Sequence, residues 1–197
     1  ESPLLGETFA RNLAGVAAAA LELGVPSDAV LRAASTTHVP GRCQVVRVGD
    51  RRAVVDYAHT PDALERLLEG LRPLVAGKIV CVFGCGGDRD RGKRPLMGAI
   101  AARLADEVIA TNDNPRTENP ESILDEILHG VPAPSRVRRI ADRHQAILAA
   151  VADAGPEDLV VVAGKGHEDY QIVGTEKHHF DDVEELQAAF AALEAKA

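Results

Sequence analysis

Beyond Pro40, short apolar runs alternate with segments whose apolar residues fall at helical spacing, and this alternation confines the chain to few folds. Val45 to Val48 and Ala53 to Tyr57 are strand-like and separated by Gly49-Asp50, which predicts a hairpin. Thr60 and Pro61 suit a helix N-cap and first turn, and Leu64, Leu67, Leu68, Leu71 and Leu74 mark one face of that helix. Ile79 to Phe83 is wholly apolar, as a strand buried on both faces should be. A helix opens at Pro95 and faces inward through Met97, Ile100, Ala101 and Leu104. Glu107 to Thr111 is the next strand, and Asn119-Pro120 starts a helix carrying Ile123, Leu124, Ile127 and Leu128, closed by Gly130. Val137 to Ile140, Asp142 to Ala154, Leu159 to Ala163 and Asp182 to Ala195 follow as strand, helix, strand and helix. This order predicts an α/β fold: an open, mostly parallel sheet with flanking helices and one antiparallel edge hairpin.

The first forty residues follow a different pattern. Leu13 to Leu23 reads as an alanine-rich helix ending at Gly24, with Pro26 as a stop. Ser27 or Asp28 caps a short second helix, Ala29 to Ala34, and Ser35 to Pro40 lacks periodicity. We place a domain boundary there. Two helices without a sheet bury little, so residues 1–40 read as a helical remnant and linker of a larger neighbouring domain, and 41–197 as a Rossmann-like domain. The apolar face of Leu13 to Leu23 is expected to be exposed. The chain starts at Glu1 rather than a methionine, as a fragment or processed product would.

Composition narrows the partners. The net charge is −8, with no Trp, two Tyr and four Phe, which argues against phosphate-backbone binding and base stacking on nucleic acid. The cysteines, Cys43, Cys81 and Cys85, are odd in number and lack both disulfide and zinc-ligand spacing. They read as reduced thiols of a cytoplasmic protein with no metal site of its own. There is no signal peptide and no 18-residue apolar run, so no membrane partner is expected.

In sheets of this kind, ligands bind beyond the carboxyl ends of the strands. Four strand ends carry polar, charged or glycine-rich loops: DYAHTPD from Asp56, GCGGDRDRGKRP from Gly84, DNPR from Asp113 and GKGHEDYQ from Gly164. Gly87 to Lys93 matches the spacing of a phosphate-binding loop. However, Arg94 stands where Ser or Thr would hold magnesium, and Asp88 and Asp90 would repel a triphosphate. The loop reads better as a rigid turn presenting Arg89 to an anionic or zwitterionic ligand. In DNPR, Pro115 fixes φ between Asn114 and Arg116, and a guanidinium fork matches the two oxygens of a carboxylate. Gly164 and Gly166 allow close backbone approach, and Glu168 could accept from an ammonium group. His167 is as well suited to structuring its own loop as to acting as a base. Asp56 and His59 precede a helix N-terminus, where they either meet a nucleotide or merely cap the helix. His178-His179 reads as a solvated loop without a role.

DYAHTPDAL, VFGCGGDRDRGKRPLMG, DNPRTENP and GKGHEDYQ, in this order and spacing, resemble the C-terminal domain of the MurE-type Mur ligases, from about Gly41 to the end. LLGETFARNLAGVAAAAL is similar to the helix that ends the family's central domain. It departs at Thr8-Phe9-Ala10, where the family usually reads Phe-Asn-Val, so no asparagine contact to nucleotide carries over. The resemblance implies an ATP-dependent ligase of peptidoglycan synthesis. Such a ligase phosphorylates the terminal carboxylate of UDP-N-acetylmuramoyl-L-alanyl-D-glutamate, and the amine of an incoming amino acid then attacks the acyl phosphate. It implies that Arg42, Asp56 and His59 face ATP, and that Arg89, Asn114, Pro115, Arg116, Gly164 and Glu168 bind the amino acid. DNPR is the family's signature for meso-2,6-diaminopimelate rather than lysine. ATP and Mg2+ would serve the parent enzyme, whose metal ligands lie outside this chain. No catalytic residue is assigned here, and the isolated chain is expected to be inactive.

Three alternatives stand beside this. One is a related ligase such as a folylpolyglutamate synthetase, which shares the architecture but not DNPR with GKGHEDYQ. Another is a stand-alone binding module for diaminopimelate or a cell-wall precursor. The last is a nucleotide-binding domain using Gly87 to Lys93, which predicts ATP affinity in this chain alone.

Overall fold

The computed structural model describes residues 6–132 and 137–195. After helices α1 (Glu7–Glu22) and α2 (Ser27–Thr36), strands β1 (Gln44–Val48) and β2 (Arg51–Asp56) form an antiparallel hairpin. There follow α3 (Pro61–Leu71), β3 (Ile79–Phe83), α4 (Lys93–Leu104), β4 (Glu107–Ala110), α5 (Pro120–Leu128), β5 (Val137–Arg139), α6 (Arg143–Asp153) and β6 (Leu159–Ala163). A second hairpin, β7 (Tyr170–Val173) and β8 (Glu176–His179), precedes α7 (Asp182–Glu194). The main sheet has six strands in the order β1-β2-β6-β3-β4-β5, all parallel except the edge strand β1.

Because side chains alternate along a strand, the sheet has two buried faces, each with its own helices. Val54, Cys81, Phe83, Val108 and Val161 pack on Leu64 and Leu68 of α3, Met97 of α4, and Ile123 and Ile127 of α5. Ala53, Val55, Val80, Val82 and Val162 pack on Ile147 and Val151 of α6, and Leu186 and Phe190 of α7. Burying a Leu or Phe completely stabilises by roughly 1.5–3 kcal/mol, so these two layers hold the strand ends rigidly.

Helices start where local chemistry satisfies their free N–H groups. Thr60, Asn119, Asp142 and Asp181 each accept from a backbone N–H in the first turn. α2 instead begins after Pro26 with no side-chain cap, so neither Ser27 nor Asp28 caps it. α1 starts near residue 7 rather than at Leu13, and Gly24 ends it with φ 81°. α4 starts at Lys93, two residues ahead of Pro95, and its Arg94 turns inward and is wholly buried. Leu74 leaves the α3 face: it ends a short 3-10 turn, Arg72–Leu74, and is half exposed.

The largest departure from the expected fold is the β7–β8 hairpin, which occupies the stretch read as a solvated loop. Val173-Gly174-Thr175-Glu176 carries a two-residue turn with φ 62° at Gly174, a standard hairpin connection. His178 and His179 are exposed β8 residues, and His179 lies 2.6 Å from Glu184. α2 buries no residue, and Val16, Leu23 and Leu31 are largely exposed; Phe9 of α1 packs against the main core.

Candidate functional site

Asp56, Ala163, Phe83, Ala110 and Arg139 are aligned as the last residues of adjacent parallel strands. The four polar loops therefore start from one row and are forced onto one rim. Glycine makes the crowding possible. A Cβ on Gly84 would collide with Thr111 O, one on Gly87 with Pro115 O, and one on Gly41 with His167 N. A Cβ on Gly164, where φ is 119°, would sit 2.7 Å from an Asp113 carboxylate oxygen. Any side chain there would push the loops apart.

The loop from Gly84 faces its neighbours with its charges. Arg94, wholly buried, donates to both oxygens of Glu118 at 2.8 and 2.9 Å, to Glu126 at 2.8 Å and to Gly86 O at 3.1 Å. The Arg94 hydrogen bonds pull the Glu118 carboxyl down from 4.5 to about 2. Asp88 accepts from Thr117 Oγ1 at 2.9 Å, Asp90 accepts from Gly92 N at 2.9 Å, and Lys93 Nζ donates to His59 O at 2.7 Å. These groups brace a turn instead of cradling a phosphate. Arg89 is left exposed and, among the described residues, donates only to Asp88 O at 3.0 Å. Its Cγ lies 3.7 Å from the position of a Cβ on Gly86, beside Arg116.

Asn114, Arg116, Gly164 and Glu168 come together as one cluster. Asn114, only 2% exposed, donates through Nδ2 to Glu168 Oε2 at 2.9 Å and accepts at Oδ1 from Ile172 N at 2.9 Å and Lys165 Nζ at 3.3 Å. Pro115 is buried, and Gly87 packs against its carbonyl. Arg116 adopts φ 52°, rare for a residue with a Cβ. The second hairpin holds it there: Arg116 N donates to Ile172 O at 3.1 Å, and Gly174 N donates to Arg116 O at 2.8 Å. Its half-buried guanidinium touches only carbonyl oxygens, Gly87 O at 2.9 Å and Asn114 O at 3.4 Å. No carboxylate pairs with it among the described residues.

Arg42, Asp56 and His59 form a second cluster around Tyr57. The Arg42 guanidinium lies 4.7 Å from the Tyr57 ring, and the His59 and His167 rings lie 4.5 and 5.2 Å from it. Arg42, His59 and His167 are exposed. Asp56 is buried and accepts from Cys43 N at 2.7 Å and Ala58 N at 2.8 Å, one on each oxygen. Burial raises its carboxyl above the ordinary value, against the pull of those two N–H groups and of Arg42. A cleft of about 470 Å³ opens beside it, lined by Phe9, Arg42, Cys43, Asp56, Arg66 and Leu67 among others.

Sequence reasoning missed Lys165, Tyr57 and the Arg143–Asp182 pair. Lys165 is wholly buried, and burial lowers its ammonium pKa. Its signal was a lysine between two glycines directly after an all-apolar strand, a place with no route to solvent. Arg143 meets both Asp182 oxygens at 2.8 Å, with both side chains fully buried, and donates to Ala163 O at 3.1 Å beneath the rim. No local pattern marks a pair 39 residues apart. Among the described residues, no group of three or more His, Cys, Asp or Glu side chains gathers as metal ligands.

An open, mostly parallel sheet with two such clusters on its carboxyl rim has the arrangement in which α/β domains bind their ligands. Residues 41–166 match the family described as Mur ligase, glutamate ligase domain, and the chain belongs to that family. The UDP-N-acetylmuramoyl-L-alanyl-D-glutamate–2,6-diaminopimelate ligase of Thermosynechococcus vestitus is 56% identical over 193 residues, 96% of this chain and 39% of that protein. The enzyme of the same name from Pseudomonas putida is 50% identical, over 98% of this chain and 40% of its own. A solved structure of a ligase of that name superposes with TM-score 0.79 at 46% identity, covering 98% of this chain and 40% of that one. UDP-N-acetylmuramate-alanine ligase of Thermotoga maritima, at 17% identity and TM-score 0.65, shares the fold alone. The chain thus spans about 40% of the length of the curated relatives it matches.

Proposed function

We propose that this chain is the amino-acid-binding part of an ATP-dependent ligase that joins meso-2,6-diaminopimelate to UDP-N-acetylmuramoyl-L-alanyl-D-glutamate in peptidoglycan synthesis. Arg116 carries the reading. A half-buried guanidinium held in a left-handed backbone, without a carboxylate partner among the described residues, suits a ligand that brings its own carboxylate. Lysine lacks that second carboxylate and would leave Arg116 unpaired, a defect that in comparable sites discriminates by about 10⁴-fold. Glu168, braced by Asn114, accepts from the ammonium at the same end of the ligand. Arg89 extends the positive side, and Gly164 lets the backbone come close.

In the ligase, the precursor's terminal carboxylate is phosphorylated, the amine attacks the acyl carbon, and phosphate leaves. The contribution of this chain is proximity and orientation of the amine, a class of effect that reaches about 7–11 kcal/mol when geometry is right. Arg42, Tyr57 and His59 form the face that closes over ATP, and Asp56 holds Cys43 and Ala58 so that this face keeps its shape. Magnesium and the phosphate cradle belong to the rest of the ligase; no step through a metal is assigned to residues of this chain. Helices α1 and α2, with their exposed apolar residues, belong with that neighbouring part, and the boundary lies near residue 40. A cytoplasmic setting is supported by three buried free thiols, and no described helix is long and apolar enough to cross a membrane.

The test is titration of isotope-labelled chain with meso-diaminopimelate, L-lysine and ATP in turn, following backbone amides by NMR. Shifts at Asn114, Arg116, Gly164 and Glu168 with diaminopimelate but not lysine are expected. Equal response to lysine, or none to diaminopimelate, overturns the assignment.

A further inference from the structure

We infer that Lys165 is a positioning residue of this site: its buried ammonium sets which way the Asn114 amide faces, which Glu168 oxygen is left for the ligand, and how the second hairpin grips Arg116. The inference rests on the amino-acid-binding reading above and deepens it.

An amide side chain has one accepting and one donating end, and its environment must choose between them. Asn114 Oδ1 faces two groups that can only donate, Lys165 Nζ at 3.3 Å and Ile172 N at 2.9 Å. Its Nδ2 faces Glu168 Oε2, which can only accept while ionised, at 2.9 Å. Flipping the amide would set NH2 against two donors and oxygen against a carboxylate. The ammonium, the Ile172 N–H and the Glu168 carboxylate together make the arrangement one-directional. It also lies 3.6 Å from Glu168 Oε2. Oε2 is committed inward, and Oε1 has no hydrogen-bond partner among the described residues.

The remaining donor direction of Lys165 is used on Tyr170 O at the start of β7. With Ile172 N held by Asn114 and the Gln171 amide donating to Asp113 O at 2.7 Å, β7 is tied down at three points, and Ile172 O and Gly174 N hold Arg116 at φ 52°. A single ammonium thus connects the two groups expected to meet opposite charges of one zwitterion. With no exposed surface, Lys165 cannot reach a ligand and acts only through these neighbours. Burying an ammonium costs several kcal/mol unless its hydrogen bonds are filled. A lysine used merely to pack the loop would be replaced by methionine without disturbing the ligand groups.

The test is Lys165→Met in the full chain, read first without ligand. Expected are changed shifts of the Asn114 side-chain NH2 and hydrogen exchange at Arg116 and Ile172 faster by about tenfold or more, while the thermal transition stays cooperative. With ligand, affinity for meso-diaminopimelate should fall by about tenfold or more, the scale of a lost charged hydrogen bond, and the margin over lysine should narrow. Unchanged Asn114 NH2 shifts together with unchanged Arg116 exchange overturn the inference. If Lys165→Met does not fold, Asn114→Asp decides. That variant keeps acceptors for Lys165 and Ile172 but sets a carboxylate against Glu168. Arg116 exchange should hold while the Glu168 amide shifts, and loss of Arg116 protection, or no response at Glu168, overturns the inference. Failure of the parent chain to bind diaminopimelate would sink the functional proposal alone, since the ligand-free readouts still decide the role of Lys165.

Discussion

The two halves of the carboxyl rim are built in opposite ways. Around Asn114, polar groups are buried and largely committed to one another, and Arg116 and Glu168 keep unused capacity directed at a ligand. Around the half-buried Tyr57 ring, Arg42, His59 and His167 are exposed and make ring contacts near 5 Å, with Asp56 buried beneath them. Buried polar networks are rigid because any movement leaves a desolvated group unpaired. Exposed aromatic and cationic groups adapt cheaply. Under the function proposed above, the first half would tell a dicarboxylate from a monocarboxylate, and the second would grip a nucleotide whose other side is held elsewhere.

The sharpest way to break that contrast is Arg116→Ala. The preference for diaminopimelate over lysine should fall by up to about 10⁴-fold, measured by competition in the full ligase, while ATP binding is unaffected. Retained preference would mean that the rigid half does not select. Next comes the foundation of the rim. Asp182→Asn strips Arg143 of its partner, and breaking such a buried pair costs about 3–5 kcal/mol, read from urea denaturation. Both Ala163 O and Asn112 O depend on Arg143, so loop amides on both halves should shift together.

A smaller effect concerns acid. Arg94 holds Glu118 at about 2, below its ordinary 4.5. A lowered folded value means the bridge stabilises fully above the ordinary carboxylate range and is lost as pH falls from about 4.5 toward 2. Glu118→Gln should flatten the fall in urea midpoint across that window, and an unchanged slope would remove Arg94–Glu118 as a brace. The smallest effect expected is His59→Ala, which removes one exposed ring worth about 0.5–1.5 kcal/mol. ATP affinity of the full ligase should drop by about tenfold or less, with amino-acid preference intact; a change in that preference would erase the distinction between the halves.

Much of this was legible in the chain. Wholly apolar five-residue runs alternating with helical patterns fit doubly covered strands, so the parallel sheet and its helices followed from that order, and the four polar loops followed from topology. The residues singled out in DNPR and GKGHEDYQ do meet, as Asn114 and Glu168 show. The hairpin at Tyr170–His179 was obscured by its second strand: Glu176–His179 is polar throughout and exposed, so it lacks the apolar alternation that reveals strands, although Gly174 marks the turn. What the sequence did not reveal is how Asp56 and Asn114 are tied: Asp56 accepts from the backbone of Cys43 and Ala58, and Asn114 bonds Ile172 N, Lys165 and Glu168.

Local sequence determined which residues form strands and helices and which chemical groups reach the rim, because periodicity, caps and glycine spacing act over a few residues. Tertiary structure decided which of those groups remain free. Hydrogen-bond partners 24 to 54 residues apart, such as Asn114 with Glu168 and Arg94 with Glu118 and Glu126, exist only once the strands are in register. A group's availability to a ligand is what is left after those partners have been satisfied.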